Sequence, residues 1–190
     1  RCGEQDRLDV PRPVAVPGDL VEHFRLGRIE HAVEPAQDGQ DREARWHMMM
    51  GFTPALFACY IWEGNHSFDM IRKSKQCVIN LPTADLVDTV VGIGNCSGAE
   101  TDKFDKFKLT AVRGEKVDAP LISECYANFE CRLADARQIS RHGLFIWEVV
   151  KARVAASPKL PETLHYRGNG EFMVSGRRLS RRSRFKPENL

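Results

Sequence analysis

Nine consecutive residues, Pro54 to Trp62 (PALFACYIW), constrain this chain most, because they are apolar on both alternating faces. Successive side chains of an extended strand point to opposite sides. One side of this run carries Ala55, Phe57, Cys59 and Ile61, and the other Leu56, Ala58, Tyr60 and Trp62. A strand apolar on both sides needs cover on both, which predicts a place in a barrel interior or beneath a subunit interface. The chain can build such an interior: 42% of its 190 residues are hydrophobic, in keeping with one soluble globular domain.

The neighbouring patterns repeat the theme. Gln76 to Leu81 (QCVINL) reads as a second buried strand, stopped by Pro82. Cys125, Ala127, Phe129, Cys131 and Leu133 alternate with Tyr126, Asn128, Glu130 and Arg132, which predicts a half-buried strand. Leu144 to Val154 follows a glycine-containing loop, Ser140-Arg141-His142-Gly143, and pairs with it as an antiparallel hairpin. Helical patterns are short: Ser67 to Lys75, Thr83 to Val91 and Glu100 to Lys108. These elements predict a mostly β protein, an antiparallel barrel with short helical inserts. A Rossmann sheet fits poorly, because the βα alternation and a G-x-G-x-x-G after a strand are both missing.

The ends read differently. Pro11, Pro13 and Pro17 break the opening, Asp19 to Val33 predicts a capped helix, and EPAQDGQDREAR has almost no apolar content. Residues 176–190 carry a charge of +5 within a chain of net charge +2, which predicts a solvated basic tail rather than a nucleic-acid site. No apolar stretch has membrane-spanning length and no signal peptide opens the chain. Six cysteines at 2, 59, 77, 96, 125 and 131 form no C-x-x-C pair, so a zinc ribbon has no support. Cys59 and Cys77 lie in apolar runs, which suits a reduced, cytoplasmic protein.

Three polar clusters interrupt the strands. Trp46-His47-Met48-Met49-Met50 sets adaptable thioethers beside an indole, suited either to a flat aromatic ligand or to core filling. Asn65, His66 and Ser67 stand where the dipole of the Ser67 helix is positive, a place that suits an anion or a plain N-cap. GIGNCSGAETDKF, Gly92 to Phe104, combines glycines with Asn95, Ser97 and Lys103 as donors. Cys96 sits among them, but a cysteine nucleophile needs a base and an orienting group that sequence alone does not supply.

Four blocks in order, WHMMMGFTP, NHSFDMIRKSKQCVINLP, VVGIGNCSGAETDKFDKFKLT and APLISECYANFECRL, resemble the flavin reductase-like family, especially its flavoredoxin-type members. The resemblance runs from Trp46 to about Met173. It implies an FMN-binding split β-barrel with a Greek-key-like path, usually a homodimer with flavin near the interface. It divides the chain into an atypical segment 1–45, a split-barrel domain 46–175 and the basic tail 176–190. By resemblance, Trp46, His47, Met48 and Met49 run beside the isoalloxazine ring, and Asn65, His66 and Ser67 reach the FMN phosphate side. Cys96, Ser97, Gly98, Asp102, Lys103 and Phe104 match the loop that closes over the site, and His165 and Tyr166 fall in a later segment near it.

The implied activity is hydride transfer from NAD(P)H, as co-substrate, to flavin, with the cofactor doing the redox chemistry and no metal or catalytic triad required. The alternatives are an FMN-containing electron carrier with a redox protein partner, and a non-catalytic relative without flavin. Ahead of Trp46 the family pattern of two barrel strands is replaced by HFRLGRIEHAVEPAQDGQDREARW, which lacks alternation. Either this protein builds that part differently, or the segment is not the native reading of its gene, as a local shift of reading frame that recovers at Trp46 would produce.

Overall fold

The computed structural model describes residues 47–186. The readings made for Trp46, for a helix over Asp19 to Val33 and for the segment 1–45 lie outside the described residues. Five antiparallel strands form the main sheet in the order β1-β2-β7-β6-β3. They are β1 (His47–Phe52), β2 (Ala55–Tyr60), β3 (Gln76–Leu81), β6 (Ala127–Asp135) and β7 (Leu144–Val154). Two small hairpins, β4 (Ala111–Val112) with β5 (Leu121–Ile122) and β8 (Leu164–Gly168) with β9 (Glu171–Val174), stand beside it. The helical inserts are α1 (His66–Ser74), α2 (Val87–Gly94), α3 (Lys103–Lys106) and α4 (Ile139–His142). The architecture is mostly β with short helices.

The core lies on the face where β2, β3, β6 and β7 present their odd-numbered residues. Phe57, Cys59, Ile79, Phe129, Cys131, Phe145 and Trp147 are all buried there. The Trp147 ring stacks on Phe145 with centroids 5.6 Å apart, and Phe68 of α1 meets Phe145 edge-on at 5.4 Å. Such pairs add roughly 0.5–1.5 kcal/mol to the burial of the rings themselves.

The double-sided burial expected of Pro54 to Trp62 is realised mainly on one side. Ala55, Phe57, Cys59 and Ile61 are buried, whereas on the other face Ala58 is buried, Leu56 and Trp62 half-buried and Tyr60 exposed. The reverse correction applies to β6. Asn128 and Glu130, expected to face solvent, are buried, because the segment 110–122 lies across that side of β6 and β3 and bonds to both side chains.

The helices also depart from expectation in detail. Thr83 bonds the Asp85 side chain and makes no backbone cap, and the helix opens with a 3-10 turn at Ala84–Leu86 before α2 runs on to Gly94. The helix expected over Glu100 to Lys108 shrinks to the single turn of α3. Asp102 starts that turn by accepting from the Asp105 amide at 3.1 Å, and Lys108, with φ of 55°, ends it. Between β6 and β7 the expected loop contains one turn of helix closed by Gly143 at φ 60°. A Cβ there would come within 2.6 Å of the Ile61 carbonyl, so the left-handed turn and the close approach both require glycine.

Candidate functional site

The α1 helix is positioned by its apolar residues. Phe68 is buried against Phe145, and half-buried Ile71 packs on the same core. Asp69 in the first turn and Arg72 and Lys73 in the last complement the helix dipole, and Lys75 at φ 57° closes the helix. At the other end Asn65 occupies the N-cap position in extended conformation, yet its side chain makes no capping bond. Ser67 lies inside the helix and does not cap it either. Its Oγ is buried and has no hydrogen-bond partner among the described residues. A buried hydroxyl is costly unless it is hydrogen-bonded, and Ser67 lines an adjoining space large enough to admit a partner for it.

That space is a cavity of about 570 Å³ between α1, β3, α3 and the segment 110–122. Its volume lies in the usual range for small-molecule sites. Ser67, Gln76, Asn80, Lys103 and Asp118 give it polar groups, and Ile71, Cys77, Val78, Ile93 and Phe104 give it apolar ones. Lys103 is only 6% exposed, unusual for an amine and placed by the Asp102-capped turn. Burial pushes the Cys77 thiol well above its ordinary value, and neighbouring Cys131 adds to this. Burial likewise pushes Cys59 up to about 12, against the pull of the Trp147 N–H, which donates to its Sγ at 3.3 Å. These thiols are neutral, polarisable wall and core material.

Of the residues singled out from the sequence, Ser67, Lys103 and Phe104 come together in this cavity. Asn65 is buried and His66 exposed at the start of α1, next to Ser67 in the chain, and neither lines the cavity. Cys96 turns its thiol back toward the Gly92 and Ile93 carbonyls at 3.5 and 3.7 Å, and Ser97 Oγ accepts from the Ala99 amide at 3.2 Å within the turn that holds Gly98. Asp102 is spent on its cap. His47, Met48 and Met49 lie on β1, the first strand of the sheet order, and do not line the cavity. His165 is buried in the second hairpin, with Nε2 2.9 Å from Thr163 Oγ1. Sequence reasoning missed Gln76, Asn80 and Asp118. Two polar side chains of even number in the otherwise apolar QCVINL were the signal for the first two. No group of three or more potential metal ligands occurs among the described residues, and no described helix is long and apolar enough to cross a membrane.

The described residues thus form an antiparallel sheet with helical inserts and a cavity of mixed polar and apolar lining alongside α1. The chain belongs to the flavin reductase like family: residues 34–172 match the model of the Flavin reductase like domain. Its fold is the split barrel of FMN-binding flavin reductase-like proteins. An FMN-binding domain of a flavin reductases-like enzyme from Shewanella baltica superposes with a TM-score of 0.68 at 21% identity, over 85% of this chain and 94% of that one. The flavoredoxin of Desulfovibrio vulgaris gives 0.66 at 24%, over 83% and 95%. An uncharacterised protein of Archaeoglobus fulgidus is 34% identical over 107 residues, 56% of this chain, so the chain spans 60% of that relative's length.

Proposed function

We propose that the chain binds FMN, with the phosphate end in the cavity beside α1, and acts as an NAD(P)H:flavin oxidoreductase. The observation that carries this is Ser67 Oγ, buried without a partner at a helix N-terminus on the cavity that Lys103 also lines. Family membership supplies the identity of the ligand. Ser67 and Lys103 both line the cavity, and a hydroxyl donor, a cation and the amide partial charge of the α1 N-terminus would together favour an anion there.

The donor set fits a phosphate monoester, and the apolar wall of Ile71, Cys77, Val78 and Phe104 keeps water from the rest of the ligand. Met48 and Met49 on β1 are proposed to run beside the flavin ring, as the family resemblance implies. Trp46 would join them from outside the described residues. Asn65 and His66 would border the phosphate, and Cys96, Ser97, Gly98 and Asp102 would shape the loops around it. FMN held there would supply the redox chemistry, as an acceptor for a hydride from a nicotinamide. The protein's own work is to bind, orient and shield. A homodimer is part of the same reading, and a redox protein partner belongs to the electron-carrier alternative.

The test begins with the spectrum of the purified protein before and after denaturation, followed by NADH and NADPH oxidation on adding FMN. Flavin bands and turnover support the proposal, and a colourless protein with no FMN affinity rejects it. Slow reduction by NADPH at full FMN occupancy would assign the chain as an electron carrier instead. Ser67→Ala should weaken FMN binding roughly three- to tenfold, the worth of one hydrogen bond.

A further inference from the structure

The segment 110–122 has little regular structure of its own, only the two-residue strands β4 and β5 and the loop between them. It nonetheless supplies one wall of the cavity, with Asp118, Ala119, Pro120 and Ile122. Side chains from the sheet hold it there. The register of β3 against β6 places Gln76 opposite Arg132, Val78 opposite Glu130 and Asn80 opposite Asn128, three rungs on one face. Every polar member of those rungs bonds the segment. Gln76 Oε1 accepts from the Asp118 amide at 2.8 Å, and Asn80 Oδ1 accepts from the Ile122 amide at 3.1 Å. Asn128 Nδ2 donates to the Ile122 carbonyl at 2.9 Å, and the Arg132 guanidinium donates to the Lys116 carbonyl at 2.8 Å.

Glu130 sits at the middle rung and is fully buried. Its Oε2 accepts from two successive amides, Lys116 at 2.6 Å and Val117 at 3.1 Å. A carboxyl group placed in a core is costly unless hydrogen-bonded, and here its bonds go to loop backbone one residue away from the cavity wall at Asp118. We infer that Glu130 is a positioning residue for the cavity, acting through the backbone at 116–117 to fix the wall from Asp118 to Pro120. The inference rests on the proposal that this cavity takes the FMN phosphate end. The outer face of a sheet would usually carry solvated side chains. Here a row of them sets the width of a ligand site they do not all touch.

The test compares Glu130→Gln, Glu130→Asp and Glu130→Ala with Phe57→Leu, a buried β2 change outside the cavity lining that serves as the stability control. FMN binding is read by fluorescence quenching, and wall position by hydrogen exchange at the Asp118 and Ile122 amides. Glu130→Ala orphans two amides, and Glu130→Asp keeps the carboxyl but shortens its reach. Both should weaken FMN binding about tenfold or more and speed exchange at those two amides by a similar factor. Glu130→Gln keeps one carbonyl acceptor at full reach and should return both readouts to within about threefold of wild type. Phe57→Leu should lower the unfolding midpoint while leaving FMN affinity and the two amides unchanged.

If Glu130→Ala does not fold, the Asp and Gln pair decides. Equal FMN affinity and equal exchange in Glu130→Asp and wild type overturn the inference, as does an equal loss of affinity in Phe57→Leu. If wild type itself takes up no FMN, the flavin proposal fails. The exchange data then decide alone: unchanged rates at Asp118 and Ile122 in Glu130→Asp overturn the positioning role, and accelerated rates support it.

Discussion

Raising the pH from 8 to 10 in a reducing buffer should destabilise this protein through its buried thiols, and Cys125→Ala should remove a defined share of that loss. Cys125 is 7% exposed. Burial, followed by the charges of Glu124 and Asp85, pushes its thiol from an ordinary 9.0 up to about 12. A folded-state value raised in this way leaves stability intact below the ordinary value, where both states hold the proton. Above 9.0 the unfolded chain releases its proton and the folded chain keeps it, so stability falls by about 1.4 kcal/mol per pH unit until the folded value is reached. Between pH 8 and 10 roughly three quarters of the change falls in the upper unit, and the whole interval gives a loss of about 1.4 kcal/mol from Cys125 alone. Cys59, also pushed up to about 12, contributes a similar amount, and Cys77 acts in the same direction. Urea unfolding of wild type and Cys125→Ala at pH 8, 9 and 10 measures the difference. The gap between the two proteins should move by about 1.4 kcal/mol in favour of the variant, whatever its starting offset at pH 8. A gap constant to within about 0.3 kcal/mol would show that Cys125 ionises as readily folded as unfolded, and would refute the burial argument.

Three further outcomes can be checked on the same preparations. Gly143→Ala should destabilise by about 1–3 kcal/mol in denaturant titration, since the added Cβ meets the Ile61 carbonyl at a left-handed backbone position. Asp102→Ala should cost about 1 kcal/mol by removing the cap of α3, with Asp102→Asn recovering most of it. Glu115 is held below its ordinary 4.5 by hydrogen bonds from Arg153 and then Lys151, so its stabilisation is present above that value and is lost as pH falls through the folded one. Glu115→Gln should therefore flatten the acid limb of a melting-temperature curve taken from pH 6 to 3, and an unchanged limb would count against the pairing.

The strands of the main sheet were legible in the sequence because period-two alternation and apolar runs follow directly from which side chains must be covered. QCVINL coincides with β3, and Leu144 to Val154 coincides with β7. Burial on the second face of β6 was not legible. Asn128 and Glu130 read as solvent-facing because polarity marks the side away from the core, and only the tertiary position of residues 110–122 turns that side inward. The site was legible in part for the same reason. Ser67, Lys103 and Phe104 announced themselves through helix-start and loop chemistry, which is local. Asp118 reaches the cavity through a bond to Gln76, 42 positions earlier in the chain, and no local pattern encodes that meeting. The short α3 shows a further limit: Asp102 and Lys108 set its ends through one side-chain bond and one dihedral angle, neither visible as periodicity.

The indole of Trp147 has one further consequence. It is wholly shut away from water, lies flat against Phe145 and gives its N–H to the sulfur of Cys59. An indole in such surroundings emits toward the blue, and a sulfur at contact distance dims it. The molecule thus carries a built-in optical gauge at its centre. Brightening and reddening of that emission during gentle warming would mark the moment when the aromatic stack on β7 loosens.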